Sequence, residues 1–237
     1  MFNPASLTGI VLAGGYSQRL GMAVPKPLIG LGGKLLLARV ADTLKLLCAE
    51  QILVVRRGQG DDVPDLGIAL GMHVVTDIEG SEGPLSAISA GLSAATTPLA
   101  FLVGADYPFL SRALIIEMTR LAGFGRSGSD GRSSAVFVRY ANRLNPLHAV
   151  YPVDSWRELT ADALSEGLRS PTALVHRVMD EGLHPLQIMT EDEAERIDPR
   201  LLSLFDVDTL DDLGVAKRII DTRNYHRVRP DLKRGGI

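Results

Sequence analysis

Residues Gly9 to Leu28 read GIVLAGGYSQRLGMAVPKPL: a short apolar run that breaks on two adjacent glycines and continues into a segment carrying Arg19 and Lys26. The run Gly9–Ala13 reads as a strand, with Gly14 and Gly15 at its carboxyl end. Glycines there let a backbone approach a ligand closely, because neither has a Cβ and both tolerate positive φ. Backbone N–H groups in such a turn cradle phosphate, and Arg19 and Lys26 can neutralise charge that develops in phosphoryl or nucleotidyl transfer. The loop is neither a Walker loop nor a G-x-G-x-x-G dinucleotide fingerprint, since the sequence is GGYSQRLG. Taken alone it also fits a glycine turn with solvated basic residues.

Outward from this loop, short β-branched runs alternate with segments of helical period, the pattern of βα units feeding a mostly parallel sheet. The further strand candidates are Ile52–Arg56, His73–Thr76, Leu99–Val103, Ala135–Val138 and His148–Tyr151. Leu36, Val40, Leu44 and Leu47 share one helix face, as do Leu85, Ile88, Leu92 and Ala95. Leu114, Met118 and Leu121 do the same behind an N-cap at Ser111, and Thr209 with Asp212 signals the start of a last helix. These elements predict an α/β fold of three layers, α/β/α, around that sheet. Residues 123–134 (GFGRSGSDGRSS) read as a loop inserted within one domain, on the expectation that the following AVFVRY joins parallel partners. The single domain then spans residues 1–222, and the basic stretch 223–237 is a mobile tail.

The 237 residues are 46% apolar and 22% charged with a net charge of -3, an ordinary globular balance that favours neither nucleic acid nor an anionic membrane as partner. One cysteine, Cys48, excludes a disulfide framework or a cysteine zinc site built from this chain alone. The first residues carry no basic leader, and their apolar run is too short for a signal core or a membrane span. The expectation is a cytoplasmic protein.

The first loop resembles the signature of the nucleotidyltransferases, the group that contains molybdenum cofactor guanylyltransferase and the sugar-phosphate nucleotidyltransferases. Leu12, Ala13, Gly14, Gly15, Ser17, Arg19, Gly21, Lys26 and Leu28 match it, with Leu20 in place of a methionine. The resemblance extends in order through VVTDIEGSEGPLSAISAGL, LAFLVGADYPFL, NPLHAVY and FDVDTLDDL, over roughly residues 8 to 222. It implies a Rossmann-like fold of the nucleotide-diphospho-sugar transferase type. It also implies nucleotide contacts by Leu12, Ala13, Gly14, Gly15, Lys26 and Asp77 and by the Gly83-Pro84-Leu85 backbone, with Asp106 holding Mg2+. Within the group, the chain looks most like molybdenum cofactor guanylyltransferase. It departs from that pattern at Pro25, at Arg56-Arg57, at Asp208 where asparagine is usual, and at Leu210 in place of a proline.

Magnesium takes oxygen ligands, usually one or two carboxylates with phosphates and waters, so a strand-end aspartate suits it. The implied catalytic residues are Arg19, Lys26 and Asp106. Asp106 read without the resemblance is a cap for the helix near Ser111, and Asp77 read that way satisfies a turn. His148 reads as a packed histidine, and Arg139, Arg143 and Asn145 as solvated neighbours of the acceptor entrance. The expected reaction is transfer of GMP from GTP to molybdopterin-bound molybdenum with loss of pyrophosphate. Three alternatives stay open: a related enzyme using CTP or UTP with a sugar phosphate or other phosphorylated acceptor, a Rossmann-type oxidoreductase, and a nucleotide-binding protein without activity.

Overall fold

In the computed structural model, which describes residues 3–14, 24–78, 83–124 and 133–222, the chain runs through nine strands and eight α-helices. In order these are β1 (Leu7–Leu12), β2 (Gly30–Leu31), β3 (Lys34–Leu35), α1 (Leu36–Leu44), β4 (Glu50–Val55), α2 (Asp62–Ala69), β5 (His73–Thr76) and α3 (Pro84–Ala94). There follow β6 (Leu99–Gly104), α4 (Arg112–Phe124), β7 (Ala135–Tyr140), β8 (Arg143–Pro152), α5 (Val153–Ser165), α6 (Pro171–Glu181), β9 (Leu186–Met189), α7 (Glu191–Ile197) and α8 (Leu210–Asp221). Seven strands form one sheet in the order β5-β4-β1-β6-β8-β7-β9, and β2 and β3 form a separate antiparallel ribbon.

Every residue of β6 is buried, and only the last of β1 is not, which is what a sheet covered on both faces requires. On one face Leu7, Val11, Leu53 and Phe101 pack against α1 and α4 through Leu37, Val40, Leu114 and Met118. On the other, Ile10, Val54 and Leu102 meet Leu85, Ile88 and Leu92 of α3, with Trp156 and Val175 from α5 and α6. The helix α3 lies close on the sheet because position 91 is glycine; a Cβ there would stand 2.5 Å from Ile10 Cγ2. The expected three layers are therefore present.

Four of the strands, β5, β4, β1 and β6, are parallel. The chain leaves β1 first toward β4 and β5 and later toward β6, so the strand order reverses beside β1, the place where open α/β sheets bind ligands. Beyond β6 the expected parallel order fails. The strand AVFVRY does not join β6; it pairs antiparallel with β8 and parallel with β9, and β8 itself runs antiparallel to β6. The candidate strand His148–Tyr151 lies in the second half of a ten-residue strand, and β9 is a further strand outside the six candidates. Of the segment 123–134 read as a loop, the first residues belong to α4, which runs through Gly123, and Ser134 is buried with its N–H donating to the Ala122 carbonyl. Residues 125–132 and the basic stretch 223–237 lie outside the described residues.

Sequence caps stop and start the helices as read. Ser111 accepts from the Leu114 N–H, and Thr209 and Asp212 form a reciprocal capping box at α8. The buried apolar residues of α8 are Leu213, Ala216 and Ile219, and Leu213 and Ala216 pack with Ile29, Leu31, Leu36, Phe205 and Val207 in a small third core, with Ile220 against its edge. That core fixes the turn holding Lys26 and the segment after Phe205 next to each other.

Candidate active site

At the carboxyl ends of β1, β5 and β6 lies a cavity of about 320 Å3. It is lined by Leu12, Ala13, Gly14, Lys26, Asp77, Gly83, Pro84 and Asp106 among others. Backbone bonds carry the strands into its floor: the Ala13 N–H donates to the Val54 carbonyl, Ala105 N–H to Leu12, and Asp77 N–H to Val55. Eight of the residues singled out in the sequence thus converge. Leu85 does not reach the cavity, because its side chain is 1% exposed and points into the core under α3. Gly15 and Arg19 lie outside the described residues.

An ion cluster in the cavity centres on Lys26. It sits on a short 3-10 turn, Lys26–Leu28, introduced by Pro25. Its Nζ donates to Asp106 Oδ2 at 3.2 Å and to Asp208 Oδ1. Burial works against its charge, but the carboxylates of Asp106 and Asp208 outweigh it and hold its pKa above the ordinary lysine value. Asp106 titrates above the usual carboxylate range because burial strips it of water, an effect Lys26 opposes. Burial and the nearby charges of Asp106 and Asp208 push Asp206 up to about 6. Asp106 and Asp208 thus share the Lys26 ammonium, and Asp206 lies close enough to feel the charge of all three.

The sequence pattern gives Asp206 no role and marks Asp208 only as a departure from the family motif. What delivers them is the hydrogen bond from the Val207 N–H to the Asp106 carbonyl, 3.0 Å, which stitches the segment after Phe205 onto the end of β6. The local signal was an Asp-x-Asp pair directly before a capping box. Asp106 is not a helix cap, since Ser111 serves α4 and the Asp106 side chain faces Lys26. Asp77 lines the cavity and also accepts from the Arg57 N–H at 3.0 Å, so the turn reading and the cavity position both hold. Gln59, unnoticed in the sequence, clamps two loops by donating to the Ala13 carbonyl at 2.8 Å and accepting from the Arg56 N–H at 3.0 Å. Gly14 depends on that closeness, for a Cβ on it would sit 3.3 Å from Arg56 Cβ.

His148 is the packed residue expected. It is fully buried between the rings of Phe101 and Tyr107, with Nε2 3.0 Å from Ser203 Oγ, and burial lowers its pKa to about 4. Asn145, expected to be solvated, instead donates to the Tyr107 hydroxyl at 3.1 Å and accepts from the Leu147 N–H.

The metal reading fits the donors present. Among the described residues no three His, Cys, Asp or Glu side chains are grouped to hold a metal by themselves. An open site of one or two carboxylates, completed by phosphate oxygens and water, is the arrangement magnesium favours.

The cavity at the strand switch point is thus edged by Gly14 and Gly83 and holds Lys26 paired with the strand-end Asp106. Residues 9–181 match the MobA-like NTP transferase domain, and the chain belongs to that family. It is 31% identical to a probable molybdenum cofactor guanylyltransferase of Pelotomaculum thermopropionicum, over 93% of this chain and 97% of the relative. A molybdenum cofactor guanylyltransferase of Desulfosudis oleivorans is 27% identical over 91% and 96%. Among solved structures, the molybdopterin-guanine dinucleotide biosynthesis protein A of Archaeoglobus fulgidus superposes with a TM-score of 0.70 at 22% identity, covering 90% of this chain and 97% of the other. A 2-C-methyl-D-erythritol 4-phosphate cytidylyltransferase of Thermus thermophilus gives 0.59 at 18%, covering 90% and 98%, and shares the fold.

Proposed function

We propose that this enzyme transfers GMP from GTP to the phosphate of molybdopterin-bound molybdenum and releases pyrophosphate, with residues 1–222 working as one domain. The reading is carried by the guanylyltransferase relative that matches along 97% of its own length, together with the Lys26–Asp106 pair on the cavity floor. In this reaction an acceptor phosphate oxygen forms a bond to the α-phosphorus, the α–β phosphoanhydride bond breaks, and pyrophosphate leaves with the electron pair. The phosphate acceptor is already anionic, so no general base is required, and the buried, neutral His148 has no proton to take. The need is for positive charge.

In this proposal Lys26 exchanges its carboxylate partners for triphosphate oxygens when nucleotide binds, and Arg19 adds a second cation. Asp106 would hold Mg2+, with Asp208 as the carboxylate beside it, and the ion supplies charge neutralisation at the transferring phosphate. Leu12, Ala13, Gly14, Gly15 and Asp77 contact the nucleotide, and Gly83, Pro84 and Leu85 offer the start of α3 through their backbone. The working compartment is the cytoplasm, where triphosphates are held and a lone thiol such as Cys48 stays reduced. No helix among the described residues is long and apolar enough to cross a membrane.

The test is a panel of GTP, ATP, CTP and UTP with magnesium, scored first by thermal shift, since a ligand that binds only the native state raises its stability. Pyrophosphate release is then measured with molybdopterin-bound molybdenum and with sugar phosphates. A GTP preference and release with the molybdenum acceptor are expected. A CTP or UTP preference with a sugar phosphate moves the chain to the cytidylyltransferase-like alternative.

A further inference from the structure

The nucleotide cavity does not end at Pro84 and Leu147. Those two residues and Gly83 also line a second hollow of about 430 Å3, which continues past Pro146 and Pro171 to Thr172. Thr172 in turn opens a third, of about 550 Å3, bounded by Arg139, Asn142, Arg143 and His176. The three make one trough along the first half of β8 and the N-terminal half of α6. Its direction follows from the register: Val103 pairs with His148, so residues 143–147 project beyond the carboxyl end of β6, on the side of the sheet where Asp106 sits. At about 3.3 Å per residue, Arg143 lies about 13 Å along the strand from Leu147.

The chemical character changes along this path. The near end is mixed in charge, with Lys26 and Arg56 beside Asp77 and Asp106. The middle is apolar, with prolines 84, 146 and 171 and Leu147. The far end is basic. Neither Arg139 nor Arg143 has a carboxylate partner among the described residues, whereas Arg169, in the middle, spends its guanidinium on the carbonyls of Leu164 and Leu168. The hairpin that carries the two free arginines is tightly set. Ala141 and Asn142 both take left-handed φ, 45° and 63°, and the Ala141 N–H donates to Glu191 Oε2 at 3.0 Å. A left-handed alanine is an unfavourable choice for a turn residue, and such conformations persist where surrounding contacts hold them.

We infer that this trough seats the acceptor, and that Arg139, Arg143 and His176 form a subsite for a second anionic group, an oxoanion or anionic metal-oxo group, at the end of the acceptor remote from its reacting phosphate. The acceptor is then an elongated molecule with a phosphate at one end, an apolar or flat ring portion against the prolines, and an anion at the other. Two guanidinium groups suit a multi-oxygen anion because each presents paired N–H donors. The inference rests on the proposed function for the identity of the reacting phosphate, but the basic subsite is read from its own geometry.

The experiment uses the full chain and the double variant Arg139→Gln/Arg143→Gln, both positions being exposed, with unchanged melting as the check on folding. Inorganic molybdate is titrated calorimetrically with magnesium and a non-hydrolysable GTP analogue already filling the nucleotide cavity. Acceptor and GTP kinetics are measured in parallel with molybdopterin-bound molybdenum. The expected result is molybdate binding weakened at least tenfold and acceptor KM raised at least tenfold, with GTP KM unchanged and partial rescue by Arg139→Lys/Arg143→Lys. A variant that transfers GMP with unaltered acceptor KM and binds molybdate as wild type overturns the subsite and leaves the proposed function standing. A wild type that transfers GMP to no molybdenum acceptor, yet loses molybdate binding on substitution, overturns the proposed function and supports the subsite.

Discussion

The two halves of the sheet use their backbones differently. In the half made of β5, β4, β1 and β6, parallel strands deliver their carboxyl ends to one edge, and a residue after each end lines the cavity: Gly14 after β1, Arg56 after β4, Asp77 after β5, Asp106 after β6. In the half made of β8, β7 and β9 the direction alternates, and residues reach the same edge by overhang and hairpin instead. In the proposed function the first half handles the triphosphate, with backbone and a few charges. The second half is where an acceptor would be told apart, by side chains on a strand whose register sets how far each projects.

That contrast is sharpest at Asp106. Asp106→Asn keeps the size of the side chain but removes the charge facing Lys26, so magnesium-dependent pyrophosphate release should fall about a thousandfold or more while the melting curve barely moves. The measurement is rate across a magnesium titration, and a folded variant near the wild-type rate removes Asp106 from the metal's ligands. Nothing on the acceptor half should match this loss.

The seam between the halves is tested by acid. His148, on β8 against Phe101 of β6, has its pKa lowered to about 4 by burial, against about 6.5 unfolded. Between those values the unfolded chain binds more protons, so this contribution is complete above pH 6.5 and is lost as pH falls toward 4, by about 3 kcal/mol. Asp206, pushed up to about 6, slopes the other way over an overlapping range, which is why the informative quantity is a difference. Denaturant unfolding of wild type and His148→Gln at pH 7 and pH 4.5 should show the wild type losing more stability on acidification; parallel losses would contradict the packed, neutral histidine.

A smaller effect should follow where the start of α3 meets the acceptor half. Gly83 has φ 109°, and a Cβ on it would stand 3.1 Å from the Arg169 carbonyl oxygen. Gly83→Ala should lower stability by about 2 kcal/mol through backbone strain and raise the triphosphate KM. Equal melting temperatures would mean that the loop before α6 gives way freely. The smallest effect is expected at Gln59, whose two hydrogen bonds tie the Ala13 carbonyl to the Arg56 N–H. Gln59→Ala should raise the triphosphate KM about fivefold, the worth of about one net hydrogen bond, with turnover kept. A fall in turnover alone would place Gln59 in the chemistry instead of the wall.

Much of the nucleotide half was legible because its signals are local. A buried parallel strand reads as an apolar run, glycines mark where a backbone must approach something, and a cap such as Ser111 or Thr209 acts within three residues. The strand β5 was bounded correctly, and the helix faces of α1, α3 and α4 follow directly from their spacing. The acceptor half was less legible, because strand direction leaves no mark on apolar periodicity; AVFVRY reads the same whichever neighbour it pairs with. Its Ala-Asn turn also lacks the glycine that usually announces a two-residue hairpin.

By itself, then, the sequence determined the layered α/β class, the glycine-edged loop with Lys26, and the strand-end position of Asp106, all properties of chain segments a few residues long. Only the tertiary structure decided that Asp208 faces Asp106 across Lys26, about a hundred residues apart, and that an antiparallel β8 carries Arg143 past the edge of β6. The physical reason is that these placements depend on which surfaces pack together: α8 must bury Leu213 and Ala216 against Ile29 and Leu31 before the segment holding Asp208 can reach the site.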